Sequence, residues 1–178
     1  MFFPLRSIAN GLTVGRAIAG FPLILALQMG WQSLGWWLLL LAGLSDAADG
    51  WLARRAGGGS PWGARLDPLT DKVLMVAPLL WLAAHAVLPL WAVWLLLARE
   101  LLISGWRADA SDGAPASLAG KAKTVLQFLS LLLLLWPEGW SGHLQLVQAG
   151  WWIFWPSLLL ALSSATAYIR PRSRPDQH

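Results

Sequence analysis

The sequence has no cysteine. A disulfide framework and a thiolate metal site are therefore both excluded. Charge is scarce too. Asp, Glu, Lys and Arg make up 12% of the 178 residues, against about a quarter in a soluble domain. Of the nine acidic residues, seven are Asp. No small-residue cleavage site stands out after the first apolar run, so a cleavable signal peptide is not expected. What fills the chain is apolar: 57% of residues are hydrophobic and 14 are Trp. The net charge of +4 would suit nucleic acid in a polar protein. In so apolar a chain, basic residues mark the cytoplasmic face of a membrane protein, and no nucleic-acid partner is expected.

The apolar runs predict an all-α integral membrane protein with six spans, each near the 20 or so residues that a bilayer requires. The whole chain, 1–178, reads as a single membrane domain. Residues 1–7 form a short amphipathic lead containing Arg6. The spans are expected at about 8–29, 31–53, 66–84, 88–106, 121–136 and 151–168. Residues 56–63 read as a flexible turn and 108–120 as a polar loop in which Asp109 and Asp112 are solvated. The tail 170–178, with Arg170, Arg172 and Arg174, reads as basic and disordered.

Charge placement orients these spans. All 13 Lys and Arg residues fall on one side or in spans reaching it, and the opposite loops near 30, 85 and 137–150 contain none. The positive-inside rule then puts both termini in the cytoplasm. Trp31, Trp81, Trp91, Trp136, Trp140, Trp151 and Trp152 gather toward the other side as an interfacial belt, anchoring the protein without taking part in chemistry.

Against this background one stretch stands out: Asp46-Ala-Ala-Asp49-Gly50-Trp-Leu-Ala53-Arg54, continued to Gly63, Asp67 and Asp71. The spacings of three (Asp46, Asp49) and four (Asp67, Asp71) put each pair on one helix face. Carboxylates in an apolar chain are costly and usually functional. Four converging oxygen ligands suit a hard divalent cation such as Mg²⁺ or Mn²⁺. The competing reading is a helix-end salt-bridge cluster with Arg54, Arg65 and Lys72. Four carboxylates in one patch would repel strongly without a cation. Gly50 lets a ligand approach the backbone closely. The glycines at 57–59 are by themselves only a linker.

The window matches Asp-x2-Asp-Gly-x2-Ala-Arg-x8-Gly-x3-Asp-x3-Asp at eight positions over 26 residues. In this it resembles the CDP-alcohol phosphatidyltransferase family. The resemblance implies that Asp46, Asp49, Asp67 and Asp71 hold two Mg²⁺ or Mn²⁺ ions and that Asp71 is also the catalytic base. It implies that CDP-diacylglycerol lies against Gly50, Ala53, Arg54, Ser60 and Gly63, with Asn10 and Thr13 at the rim. Asn10-x-Leu12-Thr13-x-x-Arg16 is similar to a stretch common in the family, except that the usual Pro before the Asn is Ala9. A helix cap with a snorkelling Arg is the alternative for these groups. Gly11, Gly15 and Ala19 form a small-residue stripe suited to helix packing. The family also implies a homodimer and, in a bacterium, the inner membrane.

A second basic set, Arg16, Arg99, Arg107, Lys121 and Lys123, falls on the same face and suits an acceptor carrying its own phosphate. Arg99-Glu100 with Ser104 and Arg107, then Gly120-Lys121-x-Lys123-Thr124-x-x-Gln127, resembles phosphatidylglycerophosphate synthases, whose acceptor is sn-glycerol 3-phosphate. The alternative for Arg99 and Glu100 is ion pairing with neighbours for structural reasons. Cardiolipin synthases, which use phosphatidylglycerol, share much of the Lys-x-Lys/Asn-Thr region and are the runner-up. From other classes, a divalent-cation transporter would need carboxylates stepping across the bilayer, and a non-catalytic scaffold would have no need of Asp71 and Arg54.

Overall fold

The computed structural model describes residues 15, 18–55, 61–109 and 118–169. The side chains of 46–55, 61–71, 105–109, 118–121 and 166–169 lie outside that description. Among the described residues there are six helices and no strand: α1 Ile18–Gln28, α2 Gln32–Arg55, α3 Pro61–Ala84, α4 Leu90–Asp109, α5 Leu118–Leu134 and α6 His143–Ile169. The all-α expectation holds.

Local chemistry explains where the helices stop. Past α1, Gly30 takes a left-handed φ of 77°. Its N–H donates to Leu27 O (3.1 Å), and that of Trp31 donates to Ala26 O (2.8 Å). This pair of bonds is a Schellman cap, which uses carbonyls the helix leaves unpaired. The same cap closes α3, with Ala86 at φ 56°: Ala86 N–H donates to Ala83 O (3.1 Å) and Val87 N–H to Leu82 O (2.9 Å). Pro61 occupies the first position of α3, where its missing N–H removes nothing from the helix.

Three boundaries differ from the apolar runs. α3 begins at Pro61, so Gly63 is helical and the α2–α3 connection shrinks to 56–60. α4 continues to Asp109, into the expected polar loop. α6 begins at His143, well before Trp151. Near these ends Gly, Pro and polar residues interrupt the apolar runs, and backbone hydrogen bonding carries the helix through them.

The helices alternate in direction. The end of α1 (Leu27), the start of α2 (Gln32), the end of α3 (Trp81), the α3–α4 turn (Val87), the end of α5 (Leu134, Leu135) and the start of α6 (His143, Val147) line one cavity. Three turns therefore share one end of the bundle, and the end of α2 and the start of α3 lie at the other. The interior is built of fully buried Leu23, Leu39, Leu79, Leu82, Leu96, Leu131 and Phe154. The outside is apolar as well: Leu102 is 72% exposed and Trp94 64%. Within α6, His143–Ala165 is long and apolar enough to cross a bilayer, and Ile18–Gln28, Gln32–Ser45, Lys72–Ala84 and Ala122–Leu134 are shorter apolar stretches.

The α5–α6 pair makes the most extensive interface. Its crossing depends on Gly150. A Cβ there would lie 2.8 Å from Leu133 Cβ, 2.9 Å from Leu134 N and 3.0 Å from Ser130 O. Ser130, fully buried, donates from Oγ to Gly150 O at 2.8 Å. Gly150→Ala gains about 1 kcal/mol in helix propensity, but backbone atoms cannot swing aside as a side-chain tip can. Overpacking of about 1–3 kcal/mol is the larger effect. The expected result is a lower melting temperature in detergent than wild type. An unchanged or raised value would show that the crossing relaxes freely.

Candidate active site

Because α2 and α3 run antiparallel across residues 56–60, both halves of the Asp motif lie toward the same end of the bundle. Asp49 precedes the end of α2 by six residues, and Asp67 follows the start of α3 by six. At 1.5 Å per residue each is about 9 Å from its helix end. Asp46 and Asp71 lie about one turn deeper, near 14–15 Å. The four positions thus form two levels on neighbouring helices. Gly50, Ala53 and Arg54 occupy α2 beyond Asp49, and Gly63 is in the first turn of α3. The side chains of this set lie outside the described residues, as do those of Arg107 on α4 and Lys121 on α5. Asn10, Thr13, Arg16 and Ser60 lie outside the described residues altogether.

One residue past Asp71 the described side chains begin, and they form a polar knot. Lys72 of α3 donates to the Glu100 carbonyl at 3.2 Å, and its ammonium lies 3.9 Å from Glu100 Oε2. Glu100 Oε1 accepts from Arg99 Nη1 at 2.9 Å and also from Lys123 Nζ of α5. Arg99 turns the rest of its fork onto α6, donating from Nε to Ala161 O (2.8 Å) and from Nη2 to Ser164 Oγ (2.7 Å). Ser104 Oγ closes back onto Glu100 O at 2.6 Å. The side chains of Lys123, Arg99 and Glu100 are 8%, 10% and 15% exposed. One carboxylate therefore joins three cations from α3, α4 and α5, while Arg99 fastens the group to α6.

Of the anticipated acceptor set, Arg99 and Lys123 meet in this knot. Their immediate partner is Glu100, so the pairing read as the alternative for Arg99 and Glu100 is present in the fold. Ser164 was not anticipated. It is one of two adjacent serines in an apolar span, and nothing in its local sequence points to an arginine on α4. Lys72 was anticipated beside the motif and, in the competing reading, paired with its carboxylates; its reach to Glu100 depends on how α3 and α4 pack.

Four Asp positions at two levels of neighbouring helices supply the donor type that a hard divalent cation requires. Among the described residues there is no group of three or more His, Cys, Asp or Glu side chains able to hold a metal; the four Asp residues expected as ligands have side chains outside that description.

The family model described as CDP-alcohol phosphatidyltransferase matches residues 6–163. A "Cardiolipin synthase (CMP-forming)" of Streptomyces coelicolor (strain ATCC BAA-471 / A3(2) / M145) is 38% identical over 162 residues, covering 82% of this chain and 75% of that one. A "CDP-diacylglycerol--glycerol-3-phosphate 3-phosphatidyltransferase" of Rickettsia felis (strain ATCC VR-1525 / URRWXCal2) is 30% identical over 171 residues, 93% of this chain and 94% of that one. One of the same description from Escherichia coli (strain K12) is 32% identical over 160 residues, 84% of each.

Proposed function

The chain belongs to the CDP-alcohol phosphatidyltransferase family, and from that premise we propose that it transfers the phosphatidyl group of CDP-diacylglycerol to sn-glycerol 3-phosphate. The products are phosphatidylglycerophosphate and CMP. The observation that carries this is the placement of both halves of an unbroken Asp motif on antiparallel α2 and α3, next to a basic knot. The relatives from Rickettsia and Escherichia coli, described as using glycerol 3-phosphate, support the choice of acceptor.

In this scheme Asp46, Asp49, Asp67 and Asp71 hold two Mg²⁺ or Mn²⁺ ions, which supply neutralisation of the pyrophosphate charge. Asp71 accepts the proton of the acceptor hydroxyl. That oxygen forms a bond to the phosphorus bearing diacylglycerol, the bond from that phosphorus to the CMP oxygen breaks, and CMP departs. Arg54 offers paired donors to a phosphate, and Gly50, Ala53, Ser60 and Gly63, with Asn10 and Thr13, line the nucleotide. Arg16, Arg99, Arg107, Lys121 and Lys123 form the basic set for the acceptor's phosphate, with Arg99 and Lys123 held by Glu100. Six spans with both termini in the cytoplasm, a homodimer and, in a bacterium, the inner membrane belong to the same proposal. The apolar exterior and the apolar stretches in α1, α2, α3, α5 and α6 support a membrane location. The substrate's acyl chains then stay in the bilayer while its headgroup reacts at the edge.

The test is CMP release by purified protein in detergent with CDP-diacylglycerol and Mg²⁺ or Mn²⁺. Glycerol 3-phosphate, phosphatidylglycerol, inositol phosphate and serine are supplied in turn. Release with glycerol 3-phosphate alone is expected, and Arg107→Ala and Lys121→Ala should raise its KM. An unchanged KM in both variants would remove these residues from the acceptor site. Release with phosphatidylglycerol alone would establish the second reading, cardiolipin synthesis, which the 38% identity to the Streptomyces protein favours.

A further inference from the structure

On α5, one turn past Lys123, Gln127 is only 5% exposed. Among the described residues no hydrogen bond reaches its amide. The amide is nonetheless open. The fully occluded side-chain donors and acceptors that lack a partner, among the described residues, are the indole N–H groups of Trp81, Trp136 and Trp155. Those are sealed from any ligand, and the Gln127 amide is not one of them. Buried polar groups are bonded as a rule, and leaving one unbonded costs about 1–3 kcal/mol. The partners of Gln127 therefore enter from accessible space, as water or as a ligand.

Its place on α5 favours a ligand. Successive helical residues are about 100° apart around the axis, so Gln127 lies about 40° from Lys123, on the arc between Ser130 and Phe128. Ser130 donates to Gly150 O on α6 at 2.8 Å. Phe128 lies so close to Gly43 on α2 that a Cβ there would overlap its ring. Gln127 thus faces the interior between α6 and α2, on the side where Lys123 reaches Glu100 of α4. Measured from Leu118, the start of α5, it is about 14 Å along the axis. Asp46 and Asp71 lie as deep from their own helix ends. Glu100 ties the two sides together, because it receives Lys123 and has Lys72, the neighbour of Asp71, at 3.9 Å.

The chemistry of the amide narrows the ligand. It carries no charge, and it both donates and accepts. A phosphate or an ester carbonyl only accepts, and would leave the amide oxygen without a partner. A hydroxyl serves both ends. Four residues of helix rise about 6 Å, so a three-carbon alcohol with its phosphate at the basic set can place a hydroxyl at Gln127. The Lys123 ammonium has three donors, and its bond to Glu100 leaves others for that phosphate. We propose that Gln127 binds the secondary hydroxyl of the acceptor's glycerol, beside the primary hydroxyl that attacks, and so selects a 1,2-diol over a simple alcohol. The proposal rests on the phosphatidyl-transfer reading above. It holds for either acceptor, because glycerol 3-phosphate and phosphatidylglycerol both carry a primary hydroxyl next to a secondary one.

The experiment measures kcat/KM for CMP release by the full chain in detergent with CDP-diacylglycerol and Mg²⁺ or Mn²⁺. Acceptors are supplied in two matched pairs: glycerol 3-phosphate against 3-hydroxypropyl phosphate, and phosphatidylglycerol against phosphatidyl-1,3-propanediol. Within each pair only the secondary hydroxyl differs. Wild type is expected to prefer the diol of the pair it uses by about tenfold or more. Gln127→Met keeps the length of the side chain without its amide. It should lose most of that preference, through a fall of about tenfold toward the diol. A merely structural role would lower both members of a pair alike and leave their ratio where it was. Should Gln127→Met fail to fold, the ratio in Gln127→Asn, whose amide falls one methylene short, decides in its place. A wild type without preference, or a preference that the variant keeps, would overturn the diol site alone and leave the amide to water. Wild type that releases no CMP with any of the four acceptors would overturn the phosphatidyl-transfer reading itself.

Discussion

Asp71→Asn is expected to lower CMP release by about 10²–10⁴-fold, the usual contribution of a positioned general base. Asn is nearly the same size and can still offer an oxygen to a cation, but its amide cannot take the proton of the acceptor hydroxyl. The charge at the site falls by one as well, so part of the loss should come from weaker cation binding. The two contributions separate when the rate is measured against Mg²⁺ or Mn²⁺ concentration. Failure of saturating metal to restore the rate would identify Asp71 as the base. Full restoration would leave it a ligand only. A variant as active as wild type at ordinary metal concentration would remove Asp71 from the chemistry.

Glu100→Gln is expected to be the most destabilising single substitution in the polar knot. The carboxylate receives Lys123 and Arg99 directly and has Lys72 at 3.9 Å. Gln keeps an oxygen in place but removes the charge, leaving three cations close together, two of them with side chains 8% and 10% exposed. Removing one partner of a buried pair costs about 3–5 kcal/mol. In a chain of this size that corresponds to a fall of about 6–20 °C in melting temperature. Combining it with Lys123→Met removes one stranded cation and should recover a substantial part of the loss. A Glu100→Gln melting temperature within a degree of wild type would show that the three cations find other partners, and the knot would then not be what ties α3, α4 and α5 together.

The knot and the Asp motif depend on different kinds of information. The motif was legible in the sequence because its pattern is local. Two Asp three apart on one helix and two four apart on the next are tied by a short connection, so the placement of these positions on neighbouring helices needs only helix periodicity and an antiparallel turn. The all-α class was legible for a similar reason: long apolar runs separated by short turns read as helices, and the described residues hold no strand. Helix ends were less legible: α6 starts at His143, ahead of the run that begins at Trp151, through a segment in which Gln145, Gln148 and Gly150 break up the apolar residues. The partners of Arg99 and Lys123 were decided only in three dimensions. Glu100 adjoins Arg99 in sequence but meets Lys123 across a separation of 23 residues, and Ser164 lies 65 residues from Arg99. Which faces of α4, α5 and α6 turn toward one another follows from close packing, such as Gly150 against the α5 backbone, and no local pattern encodes it. The cavity at the opposite end is of the same kind. Two of its lining residues, Trp81 on α3 and Trp136 just beyond α5, were read from the sequence only as membrane anchors. They come to line one cavity because alternating helix directions bring three separate turns to one end.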